Sequence, residues 1–145
     1  MSLRSRAREI AMQALYQVEM QPAADPVALE RFLVGRLRQP VLVRFAKGLV
    51  DGVRSHVGEL DVALDARAEN WRVARMAATD RTILRIAVYE LLHTETPPAV
   101  AVNEAIELAK RYGTASSGRF VAGILGRLMA DRAAAKEGEL HGDIL

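Results

Sequence analysis

Residues 80–92 read DRTILRIAVYELL, and wound into a helix their apolar side chains do not keep to one face. Ile83, Leu84, Ala87 and Leu91 make one stripe, while Ile86, Val88, Tyr89 and Leu92 fill much of the remaining circumference. A helix that is apolar nearly all round is packed by other helices on several sides, so this segment is the central post of an all-α domain. Thr79 is a suitable N-cap, and Asp80 complements the positive end of the helix dipole. Glu90, the acid within the body of this helix, could be a tuned acid or base. The reading adopted is structural, a salt-bridged residue at a helix edge.

Helical periodicity extends outward in both directions. The first helix covers roughly 4–20 and buries Ala7, Ile10, Ala11, Ala14, Leu15 and Val18. The stretch QPAADP interrupts it, and Asp25-Pro26 supplies a cap and first position for a second helix, which must end before Pro40. That helix buries Leu29, Phe32, Leu33 and Leu37. From Pro40 a third helix repeats apolar residues at spacings of three and four, from Leu42 to Leu64. Gly48, Gly52 and Gly58 lie inside it, each costing about 1 kcal/mol against Ala, which predicts close helix contacts or a bend. Residues 66–78 form a polar connection anchored by Trp71. Pro97-Pro98 forces a turn into a helix of 99–112 that stops at Gly113. A last helix, capped by Ser116 or Ser117, runs to 135 and buries Val121, Ile124, Leu125 and Leu128. The expected architecture is all-α, about seven helices in two small bundles. Residues 1–136 form one domain with subdomains near 1–66 and 67–136, followed by a flexible tail over 137–145.

The chain of 145 residues, half of them hydrophobic, suits one domain or two subdomains sharing a core. No apolar run approaches the ~20 residues that span a bilayer. Glu9 and Gln13 interrupt any signal-peptide core in MSLRSRAREIAMQALY. The absence of cysteine removes disulfides and thiolate chemistry. These features predict a soluble intracellular protein. A net charge of +2 is too small for a histone-like polycation. Of the 20 basic residues 17 are Arg, a residue suited to phosphate and base stacking but also abundant in the products of GC-rich genomes, so position has to discriminate.

No constellation of catalytic residues emerges. His56, His93 and His141 are far apart in sequence and no two of them lie at i, i+4, which predicts no metal site. Phosphate-binding glycine loops and nucleophile elbows are absent. The sequence predicts a binding protein without cofactor, not an enzyme.

Three surface features stand out. Arg4, Arg6 and Arg8 precede the first acid, Glu9, and oppose the helix dipole, as expected of a mobile arm that neutralises phosphates. Met12, Tyr16 and Met20 repeat every four residues on the back of the first helix, either as core under the C-terminal half or as a surface that meets another protein. Arg119 and Phe120 stand at the start of the last helix, where an Arg beside an aromatic and free N–H groups can hold a phosphate and stack a base. Phe120 could equally be core.

Three segments in this order carry a resemblance: RAREIAMQALYQVE (6–19), NWRVARMAATDRTILRIAVYELL (70–92) and PPAVAVNEAIELAKRYGTASSGRFVAGIL (97–125). Together they resemble the NusB family of transcription antitermination factors. The resemblance spans all but the tail and is weakest over 21–65. It implies a non-catalytic helical protein that binds boxA RNA of ribosomal RNA leaders together with NusE, a small-subunit ribosomal protein. NusA, NusG and RNA polymerase complete the implied assembly, and some members pair as homodimers that cover the RNA surface. By the same resemblance, RNA contacts fall to Arg4, Arg6, Arg8, Arg119 and Phe120. The NusE surface falls to Met12, Tyr16, Asp80 and Arg81.

Two departures are visible. Ala122 replaces the Asn usual in the FVNG run, and Ser116 is neutral where many members carry an acid. Loss of that acid removes a repulsion from phosphate. Two other functions fit part of the pattern. One is the NusB-like N-terminal domain of a ribosomal RNA cytosine methyltransferase, which needs a further domain with a glycine loop and catalytic cysteines. The other is a helical interaction module without RNA binding.

Overall fold

Proline and small polar residues punctuate the chain into helices much as the sequence predicts. The computed structural model describes residues 2–22 and 25–144, with side-chain surroundings up to 138. The helices are α1 (Leu3–Met20), α2 (Pro26–Leu37), α3 (Pro40–Asp65), α4 (Ala78–His93), α5 (Pro98–Tyr112) and α6 (Ser117–Ile144). A single 3-10 turn, Val73–Arg75, lies between α3 and α4, and the described residues contain no strand. No helix is long and apolar enough to cross a membrane.

The central-post expectation for residues 80–92 holds. Helix α4 packs against α1, α3, α5 and α6, and Ile83, Leu84, Ile86, Ala87, Val88 and Leu91 are all buried. Helices α1, α2 and α3 pack on one another, while α5 lies between α4 and α6. One continuous cluster of buried apolar residues runs through both groups.

Several local readings change. The N-cap of α4 is Ala77, two residues before Thr79, so the helix starts at Ala78 and its first turn has no side-chain cap. The guanidinium of Arg81 instead donates to the carbonyls of Val73 (3.2 Å) and Met76 (2.8 Å), which pins the connection at the helix entrance. Trp71 is not an anchor: it is 54% exposed, and Val73 and Met76 are buried in its place. Gly52 alone of the three interior α3 glycines marks a close approach, since a Cβ there would fall inside the Tyr89 ring; Gly48 and Gly58 meet nothing. Gly113 does not adopt a left-handed conformation (φ −90°). It is needed because a side chain would collide with Ser117, whose hydroxyl accepts from the Thr114 N–H at 2.9 Å. Helix α6 continues to Ile144, because the alanines and charged residues after 132 favour helix and no proline stops them. Of the tail expected to be flexible, the side chains of 139–145 lie outside the described residues.

Candidate nucleic-acid and partner interface

The arginines at the start of α1 are not a loose arm. Ser2 caps the helix by accepting from the Ser5 N–H at 3.0 Å, so the first turn is secured rather than frayed. Arg4 remains exposed and lies 5.0 Å from the centroid of the Phe45 ring. Arg6 is half-exposed and pairs with Glu9 at 2.8 Å. Arg8 is buried, 3% exposed, and forms a two-pronged bond to Glu90 at 2.7 and 2.8 Å. It also lies 5.1 Å from the Phe45 ring and 3.9 Å from Glu104.

Burial works to lower the Arg8 pKa, but hydrogen bonding and charge from Glu90, with Glu104 behind it, outweigh burial and raise it. The expectation that Arg8 reaches out to phosphate is therefore corrected, since its guanidinium faces inward and is occupied. The salt-bridge reading of Glu90 stands, but not at an exposed helix edge, because the residue is 1% exposed on a buried face in the last turn of α4. Taking two ions out of water costs several kcal/mol each, and the two-pronged geometry offsets this only while both partners are present.

The start of α6 is arranged differently. Arg119 is exposed, Phe120 is half-buried, and the Phe120 N–H already donates to the Ser116 carbonyl at 3.0 Å. The expected free N–H at Phe120 is thus used within the helix turn. Arg119 and Phe120 open onto a groove of ≈ 480 Å³ shared with Trp71, Arg75, Asp80 and Ser116. Neither Arg119 nor Arg75 has a side-chain hydrogen bond or ion pair among the described residues. The sequence missed Trp71 and Arg75 as site residues. Trp71 is an exposed aromatic flanked by Arg72 and Arg75, and that flanking was the available signal. Asp80, assigned to the partner surface, lines this same groove, and its Oδ1 is buried without a hydrogen-bond partner among the described residues.

Tyr16 lies in a second groove, ≈ 390 Å³, with Met12, Gln13, Gln17, Thr79 and Tyr112. Tyr16 is 40% exposed and Met20 is 50% exposed, so neither is core under the C-terminal half. Met12 is a correction: at 4% exposure it belongs to the core and contributes only to the groove floor. Across the groove, the Tyr112 hydroxyl donates to Glu9 at 2.5 Å. Burial, then hydrogen bonding to and charge from Glu9, push the Tyr112 pKa upward. Glu9 is itself buried and also receives Arg111 at 2.9 Å.

Arg81 is a further correction. Besides the two carbonyls of the connection it pairs with Glu19 of α1, and its side chain is 14% exposed. Burial and then the nearby charge of Arg85 lower its pKa. It works inside the molecule and offers a partner little free hydrogen-bonding capacity. Thr79 and Asp80, adjacent on α4, place the two grooves side by side. Arg4 lies twelve residues before Tyr16 on α1, about 18 Å along the helix axis.

Comparison with known proteins places these grooves in context. The NusB family profile matches residues 5–130. The transcription antitermination protein NusB of Anaeromyxobacter dehalogenans (strain 2CP-1 / ATCC BAA-258) is 46% identical over 141 residues, covering 95% of this chain and 98% of the relative. Among solved structures, T. maritima NusB superposes with a TM-score of 0.76 at 36% identity, covering 86% of this chain and 89% of that one. A crystal structure of antitermination factors NusB and NusE in complex with dsRNA contains a similar chain. It has a TM-score of 0.77 at 26% identity, covering 88% of this chain and 96% of that one.

Proposed function

This chain belongs to the NusB family, and from that premise we propose how its two grooves divide the work of an RNA-binding antitermination factor. The groove at the start of α6 takes single-stranded RNA of the boxA type, and the Tyr16 groove takes NusE. The observation that carries the RNA assignment is Arg119: it is exposed, without an internal partner, and shares a groove with Phe120 and exposed Trp71. Single-stranded RNA is recognised by stacking of splayed bases on aromatic rings and by Arg contacts to phosphate. Arg4 and Arg6, some distance along α1, add phosphate neutralisation to a longer strand.

The Tyr16 groove supports a protein contact because it joins exposed Tyr16 to Tyr112 over an apolar floor, the mixture favoured at interfaces. The protein acts by binding alone, in the bacterial cytoplasm, as part of an assembly with NusA, NusG and RNA polymerase. Fluorescence anisotropy with a boxA-like RNA and a scrambled control, with and without NusE at one stated salt concentration, tests this. Preference for boxA that sharpens with NusE is expected. Equal, weak binding to both RNAs, unaffected by NusE, would overturn the reading in favour of an interaction module without RNA specificity.

A further inference from the structure

His56 and His93 are 37 residues apart in sequence, yet the packing of α3 on α4 brings their ring centroids to 4.2 Å. Glu59, one turn beyond His56 on α3, faces His93 with its two oxygens 3.0 and 3.1 Å from Nε2. The expectation that the histidines stay apart fails here because it was drawn from spacing within single helices. The potential ligand atoms of His56, Glu59 and His93 all lie within 4.8 Å of one another.

We propose that His56, Glu59 and His93 form a binding site for a divalent cation of the zinc class, bridging α3 and α4. Two imidazoles and a carboxylate are a donor set that suits zinc, copper or nickel rather than magnesium or calcium. The tautomer of His56 follows from its neighbour. Its Nδ1 lies 2.8 Å from the Gly52 carbonyl, which can only accept, so Nδ1 carries the proton and the Nε2 lone pair is available. A backbone carbonyl holding the distal ring N–H is the arrangement that orients metal-binding histidines.

The distances call for modest closure. Ligand atoms around a tetrahedral zinc ion stand about 3.4 Å apart, given bonds of about 2.1 Å. His93 and Glu59 stand slightly inside that separation, at 3.0 and 3.1 Å, and both side chains are partly exposed (29% and 51%), so their torsions can adjust. Tyr89 stacks on His93 at 5.5 Å and limits ring rotation on the protein side. Upon binding, the proton between His93 Nε2 and Glu59 passes to solvent and the cation takes its place. Water completes the coordination. A solvated Glu59–His93 ion pair would account for two of these residues but not for His56 beside them.

Zinc sulfate titrated into the untagged, chelator-dialysed chain, read by competition with a chromophoric chelator, tests the site. One saturable site per chain is expected, together with a rise in melting temperature at saturation. His56→Ala and His93→Ala should each weaken binding by at least about tenfold and abolish the melting shift, while His141→Ala leaves both unchanged. Glu59→Gln is nearly isosteric and half-exposed, so it keeps the test valid should a histidine variant fail to fold, and it too must weaken binding. Absence of a saturable site overturns the proposal, as does affinity unchanged in the His56, His93 and Glu59 variants or lost in His141→Ala.

Discussion

At the start of α1, Arg6 pairs with Glu9 and Arg8 is buried against Glu90; at the start of α6, Arg119 faces a groove with no acid bonded to it. Both segments are Arg-bearing helix N-termini, and in sequence the first looks the stronger nucleic-acid site. The difference lies in which acids the fold delivers. Glu9 is three residues from Arg6, but Glu90 is 82 residues from Arg8 and reaches it only because α4 passes beneath α1. An arginine on a buried helix face is retained where a matching carboxylate faces it, and is then part of the core. An arginine with no such carboxylate stays available to a phosphate.

The largest effect that can break this contrast is on stability. Arg8→Ala leaves Glu90 as an uncompensated buried charge and should cost about 3–5 kcal/mol, roughly 10 °C or more in melting temperature for a domain of this size. Calorimetry checks it. A variant that melts like the parent yet loses RNA would return Arg8 to the binding surface.

Arg119→Ala and Trp71→Ala should behave oppositely. Each is expected to weaken boxA binding by about 1–3 kcal/mol, roughly fivefold to 150-fold, with melting unchanged within error. Anisotropy and calorimetry on the same samples separate the two effects, and a loss of stability without loss of affinity contradicts the groove assignment.

Arg4→Ala and Arg6→Ala sharpen the comparison within α1. Each should lower the dependence of log K on log salt by about 1, with a similar small loss for boxA and scrambled RNA. Titrations at three or more salt concentrations measure the slope; an unchanged slope in both variants removes the α1 start from the RNA surface. The smallest effect is expected from Ser116→Asp, where an acid in the Arg119 groove repels phosphate and weakens RNA several-fold at most, about 1 kcal/mol or less. Identical affinity would sink the idea that the neutral residue strengthens binding.

The candidate residues whose place at or near the surface was legible are those whose surroundings are local. Arg119 and Phe120 sit where the serine pair starts a helix, and the spacing of Tyr16 and Met20 carries them away from the buried stripe of α1. Those that were misread depend on distant neighbours: Arg8 on Glu90, Arg81 on Val73, Met76 and Glu19, and Met12 on the helices that cover it. Trp71 was misread for the converse reason. An aromatic in a polar connection is assumed to be an anchor, and here the adjacent Val73 and Met76 fill the core instead.

Hydrophobic periodicity, proline and glycine punctuation and the all-round apolar character of residues 80–92 determined by themselves the helical class, the helix limits to within a few residues except at the end of α6, and the central place of α4. Those are properties of a segment and its immediate neighbours. Tertiary structure alone decided which charges are spent inside the molecule, that Asp80 shares a groove with Arg119, and that His56 meets His93. Such pairings depend on the register and crossing of helices remote in sequence, and a one-dimensional pattern does not record how far one helix has slid or turned against another.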